Sequence, residues 1–219
     1  MRIQLILIGI FVLVSGAAAQ APLTTDLTTD LHLRGDRFRP LTASELTPEQ
    51  KILVDHLLTG ERKSVEGPFN IMLRDPEMGD IAQKLGAYLR FHTSFPRKLS
   101  EFAVLITTRS LNAQSEWAAH HKFAVQAGLS EATIAAVAEG KRPNSMQPEE
   151  EIVYNFCTEL IKTTRVSDAT FHAAVDKFGE RQVVDLIALL GYYHMVSMML
   201  NVDRYPLPEG SQPELKPLR

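Results

Sequence analysis

The fold is decided by the stretch Gln114-Ser115-Glu116-Trp117-Ala118-Ala119-His120-His121, which continues through Ala124 to Gly128-Leu129. Most of its side chains are apolar or small, and such a composition is typical of a closely packed helix. Glu116 and His120 are four residues apart, and side chains at this spacing lie on the same face of an α-helix. A buried helix has to satisfy its polar side chains internally. The stretch therefore predicts a core helix that holds a carboxylate beside an imidazole.

Glu116 and His120 form a candidate acid–base pair. A carboxylate beside an imidazole fixes the tautomer of the ring and favours its protonated form, as a general acid or base requires. The alternative is a solvated ion pair on an exposed helix face, because such pairs are common. Glu101 lies twelve residues before Ala113, in a second apolar segment of helical periodicity, Leu99-Ser-Glu-Phe-Ala-Val-Leu-Ile-Thr-Thr-Arg109. Two acids and a histidine on adjacent apolar helices favour a buried site over an exposed ion pair.

The rest of the chain also has a helical pattern. Thr47-Pro48-Glu49-Gln50 combines a capping residue, a proline and a glutamine at the positions that start a helix, which runs to about Leu58. Gly128 ends the central helix as a left-handed cap. Further helices are predicted from Asp75-Pro76 to about Phe91, after Pro96, from Ser130 to about Glu139, from Pro148, from Ser167, and from Glu180 to Asn201. No alternating pattern predicts a strand, so we expect an all-α, single-domain multi-helix bundle.

Composition narrows the function classes. The net charge is −3 and no basic cluster is present, which argues against a nucleic-acid partner. The length and the 45% hydrophobic content are those of one globular domain. The single cysteine, Cys157, follows an apolar run and is predicted to be a small buried residue. One cysteine forms no internal disulfide, so the fold depends on its core.

The two ends of the chain differ from the middle. Residues 1–19 combine a positive charge at Arg2, an apolar run from Ile3 to Val14 and small residues up to Ala19, a pattern typical of a secretory signal peptide. The run is short for a membrane span, which needs about 20 residues, and a retained anchor is the alternative. We expect a periplasmic or secreted chain with no stable membrane span. Residues 20–40 are predicted to be an extended arm, residues 41–205 the helical domain, and residues 206–219 a Pro-rich tail.

The two apolar segments together resemble a known family. Leu99-Ser100-Glu101, followed by Glu116-Trp117-x-x-His120-x-x-x-Ala124-x-x-x-Gly128-Leu129, is similar to the core of the carboxymuconolactone decarboxylase family, which includes the alkylhydroperoxidase-D-like proteins. The similarity extends from about Gly67 to Pro208. It implies a helical bundle of the alkylhydroperoxidase-D-like type that forms a homo-oligomer, a trimer or a hexamer, and that acts without a cofactor.

The resemblance also separates two kinds of chemistry within the family. The thiol peroxidase branch has cysteines at the positions of Ala113 and Glu116, beside a glutamate and a histidine that match Glu101 and His120. Its reaction requires a thiolate nucleophile and a resolving thiol. This chain has neither cysteine, so thiol peroxidase activity is not expected.

The decarboxylase branch remains, and with it an exported, cofactor-independent lyase that acts on a small carboxylated or lactone-like substrate. Decarboxylation of an unsaturated lactone acid needs an electron sink and a protonated group that delivers hydrogen to carbon. His120 is the candidate donor, oriented by Glu116 or by Glu101; the sequence leaves that choice open. An isomerase of an enolisable substrate and a non-catalytic helical oligomer that binds a small ligand are the alternatives.

Six further side chains are candidates for substrate binding by the resemblance: Asn70, Arg90, His92, Trp117, Tyr193 and His194. Arg90 suits a substrate carboxylate, which guanidinium binds in a bidentate manner. Structural roles are the alternatives, as helix-end cations for Arg90 and His92 and as satisfied core residues for Tyr193 and His194. A metal held by His92, His120 and His194 is conceivable. No ligand spacing supports it, so no metal is expected.

Overall fold

A computed structural model describes residues 31–217 of the chain. The predicted signal peptide, residues 1–19, and residues 20–30 of the predicted arm lie outside the described residues. Every regular element in the described part is helical, which confirms the predicted all-α multi-helix bundle. The α-helices are α1 Pro48–Thr59, α2 Phe69–Met72, α3 Pro76–Ala87, α4 Arg97–Ser110, α5 Gln114–Gln126, α6 Glu131–Ala138, α7 Pro148–Thr163 and α8 Asp168–Asp203, with a 3₁₀ turn at Ala43–Glu45 and a π-helical turn at Tyr88–His92.

Four helices begin, and one ends, where capping chemistry predicts. The Thr47 hydroxyl accepts a hydrogen bond from the Gln50 amide at the start of α1, and Asp75, Ser130 and Ser167 cap α3, α6 and α8 in the same way. These side chains satisfy amide groups that have no partner inside the helix. Immediately after α5, Gly128 has a φ of 87°, a conformation that glycine adopts without steric cost.

Helix α4 lies at the centre of the bundle and contacts α5, α7 and α8. It is buried along most of its length, because apolar side chains surround it on several sides. Helix α5 buries a stripe formed by Glu116, Trp117, His120 and Ala124. These positions share one face of the helix, and the packing of α5 on α4 brings that face opposite Glu101. The two polar segments of the sequence therefore meet inside the core.

Helix α8 is interrupted at Gly179, whose φ of 78° and ψ of 158° are not helical. The sequence predicted separate helices beginning at Ser167 and at Glu180, and this break lies between them. In the described part of the chain, α8 is the one helix long and apolar enough to cross a membrane, and 56% of its most apolar 18-residue window is buried in the bundle. A core helix of a soluble protein has the same properties, so the length and composition of α8 alone carry no assignment to a membrane.

The described part of the predicted arm packs on its own chain. The amide of Phe38 donates to the Asp203 carboxylate at 2.7 Å, and the amide of Arg37 donates to the Asp203 carbonyl at 3.2 Å. Residues 205–217 follow α8 without regular structure and return to the start of α5, where Leu215 is buried. Both segments border the region that contains His120.

Candidate active site

His120 lies between two carboxylates in the core. Its Nδ1 is 2.6 Å from Glu101 Oε2, and its Nε2 is 3.3 Å from Glu116 Oε1. All three side chains are buried, with 5% of His120, 5% of Glu101 and 8% of Glu116 exposed. Glu116 comes from the preceding turn of α5, whereas Glu101 comes from α4. The sequence left open which carboxylate partners His120, and the structure places both against it, Glu101 at the shorter distance.

The two carboxylates determine the protonation of His120. Burial alone would lower the pKa of the imidazole, because a charged ring is poorly solvated in the core. Contacts with Glu101 and Glu116 outweigh burial and raise the pKa of His120 to about 9. The ring is therefore an imidazolium at neutral pH, with each nitrogen turned towards an acid. Such a group is a proton donor held ready in a fixed orientation.

Aromatic rings surround the imidazole on its other sides. The Tyr193 ring meets His120 edge to face at a centroid distance of 4.7 Å, and the Phe123 ring does so at 5.5 Å. Burial and the negative charges of Glu116 and Glu101 raise the pKa of Tyr193 well above its ordinary value. Tyr193 therefore remains a neutral phenol. These rings pack against His120 and hold it in place.

Two cavities border this group. The first, which we call the His120 cavity, has a volume of about 360 Å³ and is lined by His120 and Glu116. The second, the Glu101 cavity, has a volume of about 250 Å³ and is lined by Glu101 and Tyr193. Arg90 lines both cavities. The acid–imidazole–acid group thus lies between two openings, with one carboxylate on each side.

The His120 cavity is rich in cations. Four are present on its walls, against the two acids Glu66 and Glu116: Arg34, Arg62, Arg90 and Lys122. The guanidinium of Arg62 lies over the Phe69 ring at 4.8 Å and that of Arg90 over the Phe123 ring at 4.8 Å. The Nε atoms of both arginines are buried and have no hydrogen-bond acceptor among the described residues. Unpaired buried donors of this kind are ready to bind an anion.

Arg90 is positioned by the π-helical turn that follows α3. Asp185 of α8 ties this turn down, because its carboxylate accepts hydrogen bonds from the Tyr88 hydroxyl at 3.0 Å and from the Thr93 hydroxyl at 2.6 Å. Asp185 is itself buried. The sequence predicted a helix to about Phe91 without the wider turn. Single π-helical turns often occur at functional sites, and this one directs Arg90 towards both cavities.

Two predicted binding residues lie away from these cavities. His92 Nε2 is 2.7 Å from Glu61 Oε1 on the surface, where more than half of each side chain is exposed. His194 is half-buried, and its Nδ1 is 3.2 Å from the Leu190 carbonyl in the preceding turn of α8. Neither residue lines the His120 or the Glu101 cavity. Their substrate-binding roles stay predictions, and their observed contacts are structural.

Trp117 and Asn70 also make structural contacts. Trp117 is completely buried, and its indole Nε1 donates to Glu214 Oε2 at 2.8 Å. Asn70 Nδ2 donates to the Phe38 carbonyl at 2.6 Å and so holds the arm. The Asn70 Oδ1 atom is buried without a partner in the described part of the chain. Both residues support walls near the His120 cavity without lining it, and their binding roles stay predictions.

Arg62 is a candidate binding residue that sequence reasoning missed. It lies in Gly60-Glu-Arg-Lys63, directly after α1, where charged residues usually form a solvated helix end. Nothing in that pattern separates Arg62 from its neighbours. Only the packing of this loop against Phe69 brings it to the His120 cavity.

Neither a metal-binding cluster nor an accessible thiol is found among the described residues. Among residues 31–217, no three histidine, cysteine or acidic side chains are grouped so that they could hold a metal ion. Ala113 is completely buried. Cys157 is buried in α7, and burial raises its pKa well above the ordinary value. A thiol in that state is a poor nucleophile.

No family model matches the chain, and no curated protein matches it significantly. The resemblance to the carboxymuconolactone decarboxylase family therefore rests on the residues quoted above.

Proposed function

We propose that this protein is a cofactor-independent lyase of the carboxymuconolactone decarboxylase type, in which His120 protonates a substrate carbon. The observation that carries the proposal is the buried His120 ring between the Glu101 and Glu116 carboxylates, at the edge of a cationic cavity. A charged histidine in the core costs free energy unless it is paired on every side. A surface ion pair, the structural alternative, is inconsistent with this burial.

The proposed reaction is a decarboxylation that ends with protonation of a substrate carbon. The carbon–carbon bond to a substrate carboxylate breaks, carbon dioxide leaves, and the electron pair passes into the adjoining unsaturated lactone or enone. The resulting carbanion or enolate carbon takes a proton from the His120 imidazolium. Glu116, on the same side, holds the ring in position. The neutral imidazole left by this step regains its proton from solvent. Glu101 lines the other cavity and lies against Nδ1, so it is placed to pass that proton from the cavity to the ring after each turnover.

Substrate recognition is assigned to the two arginines with unpaired Nε atoms. Arg62 and Arg90 line the cavity that contains His120, and their faces are fixed by aromatic rings. A carboxylate that accepts hydrogen bonds from both would satisfy donors that are otherwise buried without partners. The cation excess on the walls favours anionic over neutral ligands. These contacts support a small carboxylated substrate.

An isomerase is the second candidate, and the position of Glu116 favours it. A carboxylate next to an imidazolium in one cavity can remove a proton from one carbon while the imidazolium delivers another. The net reaction moves a double bond and releases no carbon dioxide. The same residues serve both reactions, so product analysis separates them.

The test is turnover of carboxymuconolactone and of a panel of related unsaturated acids. Turnover is measured as the loss of ultraviolet absorbance and as the release of carbon dioxide. The variant is His120→Ala, and the matched control is His172→Ala, which removes an exposed histidine of α8. We expect turnover in the protein and the control and none in His120→Ala. Absorbance change without carbon dioxide would indicate the isomerase. Absence of turnover, with carboxylate binding retained, would overturn catalysis and favour the ligand-binding alternative.

We also propose a homo-oligomer, supported by an apolar face on α8. Four exposed apolar side chains follow one side of the helix around Gly191: Val184 (62% exposed), Ile187 (47%), Met198 (52%) and Val202 (54%). A contiguous exposed apolar stripe is typical of a protein–protein contact. Gly191 has no atom within 4 Å of a Cβ position, so a partner backbone has room to approach there. Export remains a proposal that rests on residues 1–19.

A further inference from the structure

The C-terminal segment forms a strap over the His120 cavity. Tyr205, Pro206 and Pro208 line the cavity itself. The Tyr205 hydroxyl accepts a hydrogen bond from the Gly67 amide at 3.2 Å, which joins the near end of the strap to the loop before α2. Residues 209–214 are exposed and lack regular structure. The strap, which we define as residues 205–217, thus crosses from α8 to α5 and covers one side of the cavity.

The far end of the strap is held by side chains that bind its backbone. The Gln114 carboxamide donates to the Leu215 carbonyl at 2.5 Å and accepts from the Leu215 amide at 3.1 Å. Arg109 Nη2 donates to the Lys216 carbonyl at 2.8 Å. Paired contacts of this kind recognise an extended peptide whatever its side chains, as the edge of a β-sheet does.

Two further contacts recognise side chains of the same segment. The Glu214 carboxylate accepts a hydrogen bond from Trp117 Nε1 at 2.8 Å and lies 2.6 Å from His121 Nδ1. Leu215 is 4% exposed, and its side chain packs at the hydrophobic core. Gln114, Trp117 and His121 are at positions i, i+3 and i+7 of α5 and share one face. With Arg109 of α4 they form what we call the docking groove.

We propose that the docking groove is a reversible binding site for an extended acidic–leucine peptide, occupied in this chain by its own Glu214-Leu215-Lys216, and that release of this segment opens the His120 cavity. One buried side chain and a few hydrogen bonds hold this segment, which has no regular structure. The free energy needed to release it is therefore lower than the free energy needed to unfold the helices, and binding is reversible. The proposal does not depend on the reaction at His120.

The first experiment uses Trp117, the single tryptophan of the chain, whose indole N–H gives one resonance. Glu214→Lys removes the acceptor of that N–H, and Glu209→Lys makes the same charge change in the exposed part of the strap. We expect hydrogen exchange of the indole to increase about tenfold or more in Glu214→Lys and to stay unchanged in Glu209→Lys. Equal exchange in the two variants would overturn the proposal.

A peptide added in trans tests the groove directly. Leu215→Asp should release the strap, and circular dichroism should show unchanged helix content. A synthetic peptide with the sequence of residues 209–219 should then restore the slow indole exchange, whereas the same peptide with Leu215→Asp should not. Because a short tether gives an effective concentration in the millimolar range, restoration is expected at about millimolar peptide. Loss of helix in the Leu215→Asp chain, or a peptide without effect, would show that the segment is part of the core and would overturn reversible docking.

Opening of the His120 cavity can be measured by the reactivity of a cysteine introduced on its wall. Ala118 lines the His120 cavity, and the one native thiol, Cys157, is buried and therefore unreactive. Ala118→Cys is combined with Glu214→Lys or with Glu209→Lys, and the rate of reaction with a disulfide reagent is followed. We expect about tenfold faster labelling with Glu214→Lys. Equal labelling rates would show that the strap does not control access and would overturn that half of the proposal.

Discussion

Glu101→Gln should lower the pKa of His120 and remove the pH dependence of stability that this pair creates. Glu101 makes the shorter of the two carboxylate contacts, at 2.6 Å. Without its charge, burial lowers the pKa of His120 and only Glu116 opposes it. An opposite charge at this distance changes a pKa by about one to three units, so we expect a fall of that size from about 9.

The raised pKa of His120 also contributes to the free energy of unfolding. The folded pKa of about 9 lies above the ordinary 6.5, so the charged pair stabilises the folded state. At about 1.36 kcal/mol per pKa unit, the difference corresponds to about 3 kcal/mol. Because the folded pKa is raised, this contribution is complete below pH 6.5 and is lost as the pH rises to about 9. In Glu101→Gln the loss over this window should be much smaller.

Two measurements check these values. The imidazole resonances of the seven histidines are followed from pH 5 to about 10 by NMR, and His120→Ala identifies the His120 signal. Urea unfolding near pH 6 and near pH 9.5 gives the free energies of unfolding. Glu131→Gln, which alters an exposed acid near His121, is the control and should behave as the native protein. A His120 pKa at or below the ordinary value, or the same pH dependence in Glu101→Gln, would refute the explanation.

Other parts of the molecule give further tests. Arg62→Gln and Arg90→Gln should each weaken the binding of a small carboxylate about ten- to a hundredfold, because each removes a charged donor from the cavity wall. The exposed Arg165→Gln is the control and should leave the affinity unchanged in the same calorimetric titration. Equal affinities in all three variants would refute an anion site at these arginines. Asp185→Ala should weaken the same binding, although Asp185 lines neither cavity, because the substitution releases the turn that carries Arg90. Asp185→Asn keeps an acceptor oxygen and should weaken the binding less. Gly86→Ala should destabilise the protein by about 1–3 kcal/mol because a Cβ would overlap the Tyr192 phenol oxygen. Light scattering should show an oligomer that Met198→Glu dissociates, and a native monomer at micromolar concentration would contradict it.

Much of the helical framework can be predicted from local sequence. Thr47, Asp75, Ser130 and Ser167 begin helices because their side chains satisfy free amides, and Gly128 ends one because it adopts a positive φ. These are interactions between residues a few positions apart, so the sequence contains them in full. The face shared by Glu116 and His120 is predicted for the same reason.

Other features depend on contacts between distant segments. Glu101 is 19 residues from His120, and only the packing of α4 on α5 sets their distance at 2.6 Å. Arg62 reaches the His120 cavity because a loop packs on Phe69, and no local pattern marks it. Trp117 and His121 hold Glu214, 97 and 93 residues away, although the sequence suggested a substrate role for Trp117. Periodicity and capping chemistry thus determined the helices and the shared face of Glu116 and His120. Tertiary packing decided the position of the second carboxylate, of the arginines and of the strap, because burial and pairing of charges arise only when separate helices come together.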